Sequence, residues 1–334
     1  MTRFSYKYLK ILVIGYGSIG KRHIKNLLSI PKMEVIVLTK QKSSDAILKK
    51  CSVHNILKDC ILEKPSAAII ANNSSEHIEV ALKLAKEGIN LFIEKPLSNN
   101  LKNIGELSKT VKSKKLLTMI GCNLRFHPCI KKIKQLIDKK TIGKILSVQV
   151  ESSSYLPDWH PNESYSKSYA ARKDLGGGVI LTCIHEIDYL YWFFGMPYSI
   201  MSQSGKFSTL KIDVEDLSLS IIKFPKNLLA ELHLDYFQRP DIRKCKIIGT
   251  KGTIMWDSKS NQVKLYNSGK NHWTIKLAVK NYDRNDMYVD EIKHFLNCIK
   301  QRKQTINPLY EGIETLRIAL SIKKSSKTGR LTKV

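Results

Sequence analysis

Residues 10–14 are mostly apolar, and a glycine-rich turn leads from them into a helical pattern over about 18–29. Residues 35–38 form a second short apolar run. Residues 66–71 form a third, continuous in the way that a strand buried on both faces is continuous. Asn72-Asn73-Ser74-Ser75 then supplies turn and N-cap side chains. The next helix sets Ile78, Ala81, Leu82 and Ala85 on one face and stops at Gly88. Residues 90–93 predict a strand, about 100–112 a helix, and 116–120 another strand. Short strands alternating with amphipathic helices predict an α/β fold with a doubly wound parallel sheet.

The rhythm changes after about residue 143. Residues 145–151 and 217–224 read as strands, and 228–235 follows across Pro225-Lys226-Asn227. Residues 244–248 and 253–256 flank the turn Gly249-Thr250-Lys251-Gly252. Connections this short join antiparallel neighbours. A helix over about 287–299 carries Ile292, Phe295, Leu296 and Ile299 on one face, and a last helix runs over about 310–322. The pattern predicts a nucleotide-type domain over 1–122 and an α+β domain over 123–334 with a mostly antiparallel sheet. The last helix can pack back on the first domain.

The first turn reads Gly15-Tyr16-Gly17-Ser18-Ile19-Gly20, a G-x-G-x-x-G placed between a strand and a helix. In that context the first glycine permits the turn, the second admits a pyrophosphate and the third lets helix and strand pack. The N–H groups at the start of the helix, around Ser18 and Ile19, then face phosphate. The second strand ends Leu38-Thr39-Lys40-Gln41-Lys42, without the acid that holds the ribose hydroxyls of NAD. Thr39 with Lys40 or Lys42 suits a 2′-phosphate, so the residues favour NADP(H) over NAD. Asn72, after the third long strand, is a further cofactor candidate.

Two other constellations carry chemistry. Glu94-Lys95-Pro96 ends a predicted strand at the carboxyl edge of the sheet, where ligands of doubly wound folds bind. Lys95 is either a surface lysine at a loop start or a group that donates to a substrate oxygen. Glu94 can pair with a nearby cation or hold a backbone amide. Further on, Gly176-Gly177-Gly178 allows close backbone approach to a ligand and precedes a helix. That helix sets His185 and Asp188 on one face at i, i+3. A lone helical histidine is commonly structural. Beside glycines and with a cofactor motif upstream, His185 becomes a candidate acid/base, with Asp188 orienting its ring.

Composition changes this picture only at the margins. The formal net charge of +27 first suggests nucleic acid. However, 46 of the 56 basic residues are lysines, dispersed along the chain, and no nucleic-acid-binding motif accompanies them. The charge therefore reads as solvated helix faces, and no nucleic-acid partner is expected. The seven cysteines form no C-x-x-C and no zinc spacing, so no metal site is expected and the thiols suit a cytoplasmic chain. No apolar run approaches the roughly 20 residues of a membrane span.

Together, the G-x-G-x-x-G, Ser75-Glu76-His77, Glu94-Lys95-Pro96, Asn123-x-Arg125-Phe126 and Gly-Gly-Gly followed by His185-x-x-Asp188 resemble the Gfo/Idh/MocA oxidoreductases across nearly the whole chain. The resemblance implies a Rossmann domain, a second domain with an open sheet, a nicotinamide cofactor and a sugar-type substrate. It implies a homodimer or homotetramer built through the sheet face. It sets Lys95 and His185 at the reacting hydroxyl, Asn123 and Arg125 near the cofactor, and His77 after the loop that covers the cofactor. Many members carry an acid three or four residues before the histidine, and here Leu181 and Thr182 stand there.

The stretch from Tyr155 through Trp159 and Pro161 to Arg172 and Lys173 resembles members from bacterial surface-polysaccharide and nonulosonic-acid pathways. Tyr155 and Trp159 could stack on a sugar, and Arg172 could meet a carboxylate or phosphate. With Thr182, these are the substrate candidates. Two rival activities remain open: a cofactor-bound sensor without turnover, and an NAD-retaining glycosidase.

Overall fold

The computed structural model describes residues 9–41, 45–160 and 163–334; Lys42 and Pro161 lie outside them. The chain divides into two compact units. One runs to Cys122 and takes in Arg284–Ile313; the other is Asn123–Asp283 with Glu314–Val334. The second predicted domain is thus interrupted, because residues 284–313 return to the first unit. Helix 309–328 starts in one unit and ends in the other.

The first unit is built as β1 (Leu9–Ile14), α1 (Ser18–Leu28), β2 (Met33–Leu38), β3 (Ser52–His54), α2 (Leu57–Leu62), β4 (Ala67–Ile70), α3 (His77–Lys86), β5 (Asn90–Glu94), α4 (Ile104–Ser113) and β6 (Thr118–Gly121). Its six strands are all parallel, in the order β3-β2-β1-β4-β5-β6. All four residues of β4 are buried, as expected for a strand covered on both faces. The edge strand β6 is not left open. Ile120 N–H donates to Asn307 O at 2.8 Å, Thr305 Oγ1 donates to Thr118 O at 2.5 Å, and Leu309 N–H donates to Thr118 Oγ1 at 2.9 Å.

The second unit contains α5 (Pro128–Asp138), β7 (Ile145–Ser153), α6 (Val179–Thr182), α7 (Ile184–Phe194), β8 (Ser199–Gly205), β9 (Leu217–Phe224), β10 (Leu228–Asp235), β11 (Ile242–Gly249), β12 (Gly252–Asp257), β13 (Gln262–Asn267) and β14 (His272–Ala278). α8 (Asp286–Gln301) belongs to the first unit, and α9 (Leu309–Thr328) and β15 (Thr332–Lys333) close the chain. The nine strands form an open sheet, β14-β13-β12-β11-β7-β10-β9-β8-β15, in which only β7 and β10 pair in parallel.

Strict alternation along β9 buries Ser218, Ser220, Ile222 and Phe224 and turns Leu219 and Ile221 outward. Leu229 of β10, Met201 of β8 and Met255 of β12 are exposed as well.

Several elements were not predicted. β3 has only three residues. β8 reads Ser-Ile-Met-Ser-Gln-Ser-Gly, and its serines bond α9: Ser202 N–H to Ser325 Oγ at 3.0 Å and Ser204 N–H to Ser326 Oγ at 2.8 Å. A strand satisfied by serine hydroxyls shows no apolar alternation. In α5 the apolar spacing of Cys129, Ile130, Ile133 and Leu136 was present, with Pro128 at its first turn.

Candidate functional site

The three glycines of the first turn are glycines for different reasons. Gly15 has φ +100°, and a Cβ there would lie 2.7 Å from Ala71 O. A Cβ on Gly20 would lie 2.1 Å from Gly15 O. Both are required by the chain itself. Gly17 sits at φ −75°, ψ −173°, ordinary extended backbone, and a Cβ there would meet nothing within 4 Å. The fold does not need glycine at that position, and the open space leaves the backbone accessible to a phosphate.

Gly17 is also the N-cap of α1, and the first turn of that helix carries no acidic residue to repel an anion. The residues therefore fit a dinucleotide. Beside them, the Tyr16 O–H donates to Asp45 Oδ2 at 2.7 Å, and Lys21 stands 4.7 Å over the Tyr16 ring. That hydrogen bond, before the nearby lysines, holds the Asp45 carboxyl below its ordinary value. At the end of β2, Thr39 is half-buried and its Oγ1 accepts from Gln41 N–H at 3.1 Å; Lys40 is exposed.

At the carboxyl end of β5, Glu94 is buried and Lys95 half-buried, and their peptide link is held locally: Lys95 N–H donates to Glu94 Oε2 at 3.1 Å. The other carboxyl oxygen meets His23 Nε2 at 2.6 Å. Sequence reasoning missed His23, three residues past the last glycine of the motif. His77 is buried and bridges two loops, with Nδ1 2.9 Å from Pro96 O and Nε2 3.1 Å from Asn72 O. Burial pushes its imidazole below the ordinary histidine value. His77 thus acts as a tie between the Asn72 loop and the turn after Lys95. Asn72 in turn donates to Glu76 Oε2 at 2.7 Å.

In the second unit the glycine triplet is filled by the chain. A Cβ on Gly177 would lie 2.2 Å from Tyr169 O, and one on Gly178, at φ +104°, would lie 2.4 Å from the Glu215 carboxylate. This corrects the reading of Gly177 and Gly178 as room for a ligand: the carbonyls of Tyr169, Ala170 and Arg172 occupy it at Gly177, and the Glu215 carboxylate at Gly178. His185 opens α7 and is buried beside it.

Asp188 is committed to Arg125. The two form a bidentate pair at 2.8 and 2.9 Å, with side chains 0% and 1% exposed, and Thr315 Oγ1 adds a contact at 3.4 Å. Asp188 was expected to orient His185; its carboxylate instead neutralises a buried guanidinium, which is the larger electrostatic demand. Arg125 and Asn123 both lie in a buried turn, residues 123–126. Thr182 ends α6 and is buried.

The predicted substrate stretch is partly self-satisfied. Trp159 Nε1 donates to Ser154 Oγ at 2.9 Å and its ring meets Tyr236 edge-on at 5.5 Å. The Arg239 guanidinium lies 3.4 Å over Tyr155. Exposed Arg172 is paired with Asp174 at 3.0 and 2.5 Å, so its fork is already occupied.

Comparison with known proteins agrees with this geometry. Residues 9–122 match the family described as oxidoreductase, NAD-binding Rossmann fold, and residues 130–255 match the GFO/IDH/MocA C-terminal domain. The chain is 24% identical over 344 residues to a myo-inositol 2-dehydrogenase of Thermotoga maritima, covering 98% of each. It is 27% identical over 200 residues to a 2,7-anhydro-N-acetylneuraminate hydratase of Mediterraneibacter gnavus, covering 58% of this chain and 52% of that one. Among solved structures, levoglucosan dehydrogenase in complex with NADH and levoglucosan superposes with a TM-score of 0.88 at 17% identity, covering 98% of this chain and 100% of that one. The chain belongs to the Gfo/Idh/MocA oxidoreductases, with that family's NAD-binding Rossmann domain and its C-terminal domain.

Proposed function

We propose that the protein oxidises a hydroxyl-bearing carbon of a sugar, sugar nucleotide or sugar acid, or reduces the corresponding carbonyl. The observation that carries the cofactor half of this reading is Gly17, a glycine with no internal need for one. Bound nicotinamide supplies the hydride acceptor or donor. His185 takes the proton of the reacting hydroxyl in the oxidation direction and returns it in reduction. The Lys95 ammonium donates to the same oxygen and stabilises the charge that develops there. Glu94 and His77 hold the backbone on either side of Lys95, with Asn72 tied to His77 through its carbonyl, while Gly15, Gly17, Ser18, Ile19 and Gly20 form the phosphate cradle.

Thr39 and Lys40, with no acid at the end of β2, favour NADP(H). A role in bacterial surface-sugar synthesis is supported by the Tyr155–Lys173 resemblance. Assembly as a homodimer or homotetramer is supported by the outward apolar residues Met201, Leu219, Ile221, Leu229 and Met255 on one sheet.

The test is cofactor reduction by a panel of inositols, sugars and UDP- or CMP-sugars, with wild type, Lys95→Ala and His185→Ala. Each variant is expected to lose about 10²-fold or more in kcat, with cofactor affinity in His185→Ala within a few-fold of wild type. Turnover unchanged in both removes the assigned roles. Tight cofactor binding without turnover on any substrate favours the sensor reading. Release of an aglycone without net change in the cofactor favours the glycosidase.

A further inference from the structure

Behind the Glu94-Lys95 corner, His23 of α1, Glu94 of β5 and Glu291 of α8 converge inside the first unit. Each offers a nitrogen or oxygen within 4.8 Å of the other two. Their exposures are 0%, 5% and 0%. The two carboxyls differ sharply in what they bond. Glu94 meets His23 Nε2 at 2.6 Å and accepts the Lys95 N–H at 3.1 Å. Gly121 of β6 leaves space for it, since a Cβ there would stand 3.1 Å from the Glu94 carboxyl. Both oxygens of Glu291 are buried with no hydrogen-bond partner.

The other titratable groups around this cluster include Tyr288 on α8, edge-on to His23 with ring centroids 6.3 Å apart, Arg22 of α1, 4.5 Å over the Tyr288 ring, Arg284 and Lys95 near Tyr288, and His77 near Glu94. None of them bonds Glu291.

An ionised carboxyl that is dry, unbonded and beside a second carboxyl has nothing to offset its lost hydration. Where two neighbouring acids differ this way, the one with hydrogen bonds takes the charge and the other takes the proton. We infer that Glu291 is held as a neutral carboxylic acid in the folded protein, and that its neutrality leaves Glu94 free to grip His23 and the Lys95 amide. Burial first, and then the proximity of Glu94, push the Glu291 carboxyl well above its ordinary 4.5. Glu291 is accordingly a positioning residue for the backbone that carries Lys95. That consequence rests on the proposed role of Lys95; the protonation does not.

A metal ion is the rival occupant of a His-Glu-Glu cluster. It would have to break the His23–Glu94 hydrogen bond, whereas a proton on Glu291 disturbs neither neighbour.

The sign of the pH dependence follows. The folded chain keeps a proton on Glu291 at pH values where the unfolded chain, titrating near 4.5, has released it. Stability from this group is full below that value and declines as pH rises toward the folded pKa. Glu291→Gln removes the titration while keeping the shape.

The experiment is infrared difference spectroscopy and thermal unfolding of the full chain, wild type against Glu291→Gln. At neutral pH the wild type is expected to show the carbonyl stretch of a protonated, desolvated carboxylic acid, absent from the variant. The variant is expected to melt at or above wild type at neutral pH. The gap should widen with rising pH and close toward about pH 4.5, with cofactor affinity within about twofold. Should the variant not fold, side-chain carboxyl NMR of the wild type answers instead: one glutamate must stay in its acid form at neutral pH.

No protonated carboxyl at neutral pH overturns the inference. So does stoichiometric uptake of Zn²⁺ or Mn²⁺ that Glu291→Gln abolishes. A protonated Glu291 in a chain that turns over no sugar upholds the inference and defeats the proposed reaction.

Discussion

Two glycine clusters in this chain look alike in sequence and differ in physics. In the first unit, Gly17 sits in ordinary extended backbone beside open space, and nothing in the fold explains why it lacks a side chain. In the second unit, Gly178 has φ +104° and lies against the Glu215 carboxylate, and the fold explains it entirely. In both clusters the missing side chain leaves room for something to come close to the backbone. Only the structure says whether that something is a ligand or another part of the same chain.

The contrast is open to direct attack. Gly178→Ala should cost the most stability, about 3 kcal/mol, combining an unfavourable φ with a Cβ 2.4 Å from a carboxylate. Denaturant unfolding measures it, and a loss below about 0.5 kcal/mol would remove the argument from the Glu215 contact. Gly17→Val should do the opposite. Without cofactor it should lose no more than about 1 kcal/mol, the cost of a β-branched N-cap, while the dissociation constant for nicotinamide dinucleotide rises at least about tenfold, or 1.4 kcal/mol. Calorimetric titration checks it; unimpaired binding would make Gly17 a mere turn residue. The smallest effect is expected from Lys40→Gln, an exposed charge. It should weaken NADP(H) about threefold and leave NAD(H) unchanged, because exposed ion pairs contribute at most about 1 kcal/mol. Equal weakening of both cofactors would detach Lys40 from the choice between them.

The two sheets show a similar division in how much can be read from sequence. The parallel sheet announced itself because β1 and β4 are buried nearly throughout, so their apolar runs are continuous. β9 and β10 were also legible, because one covered face forces strict alternation. β8 was invisible because its buried positions include Ser202, whose N–H donates to Ser325 Oγ and whose hydroxyl donates to Leu219 O and accepts from Ser220 Oγ, partners remote in the sequence. β14 is mostly exposed, so burial imposed no pattern on it.

Among the proposed site residues, Gly15, Gly17, Gly20, Lys95 and His185 stood out in the sequence because short motifs hold them in order. Asp188 was misread because its partner, Arg125, stands 63 residues away. Glu291 was only a polar residue beside the apolar face of α8. Nothing nearby marks it as buried against Glu94, 197 positions earlier in the numbering.

What the sequence determined alone is local: periodicity follows from which face of an element is dry, and the phosphate turn follows from what glycine permits between a strand and a helix. What only the tertiary structure decided is pairing at long range. It gave Asp188 to Arg125, returned residues 284–313 to the first unit, and left Gly17 open while filling the space at Gly178. It also brought two carboxyls together in a dry interior. Charge and hydrogen bonds act through space, and sequence distance carries almost no information about them once the chain has folded.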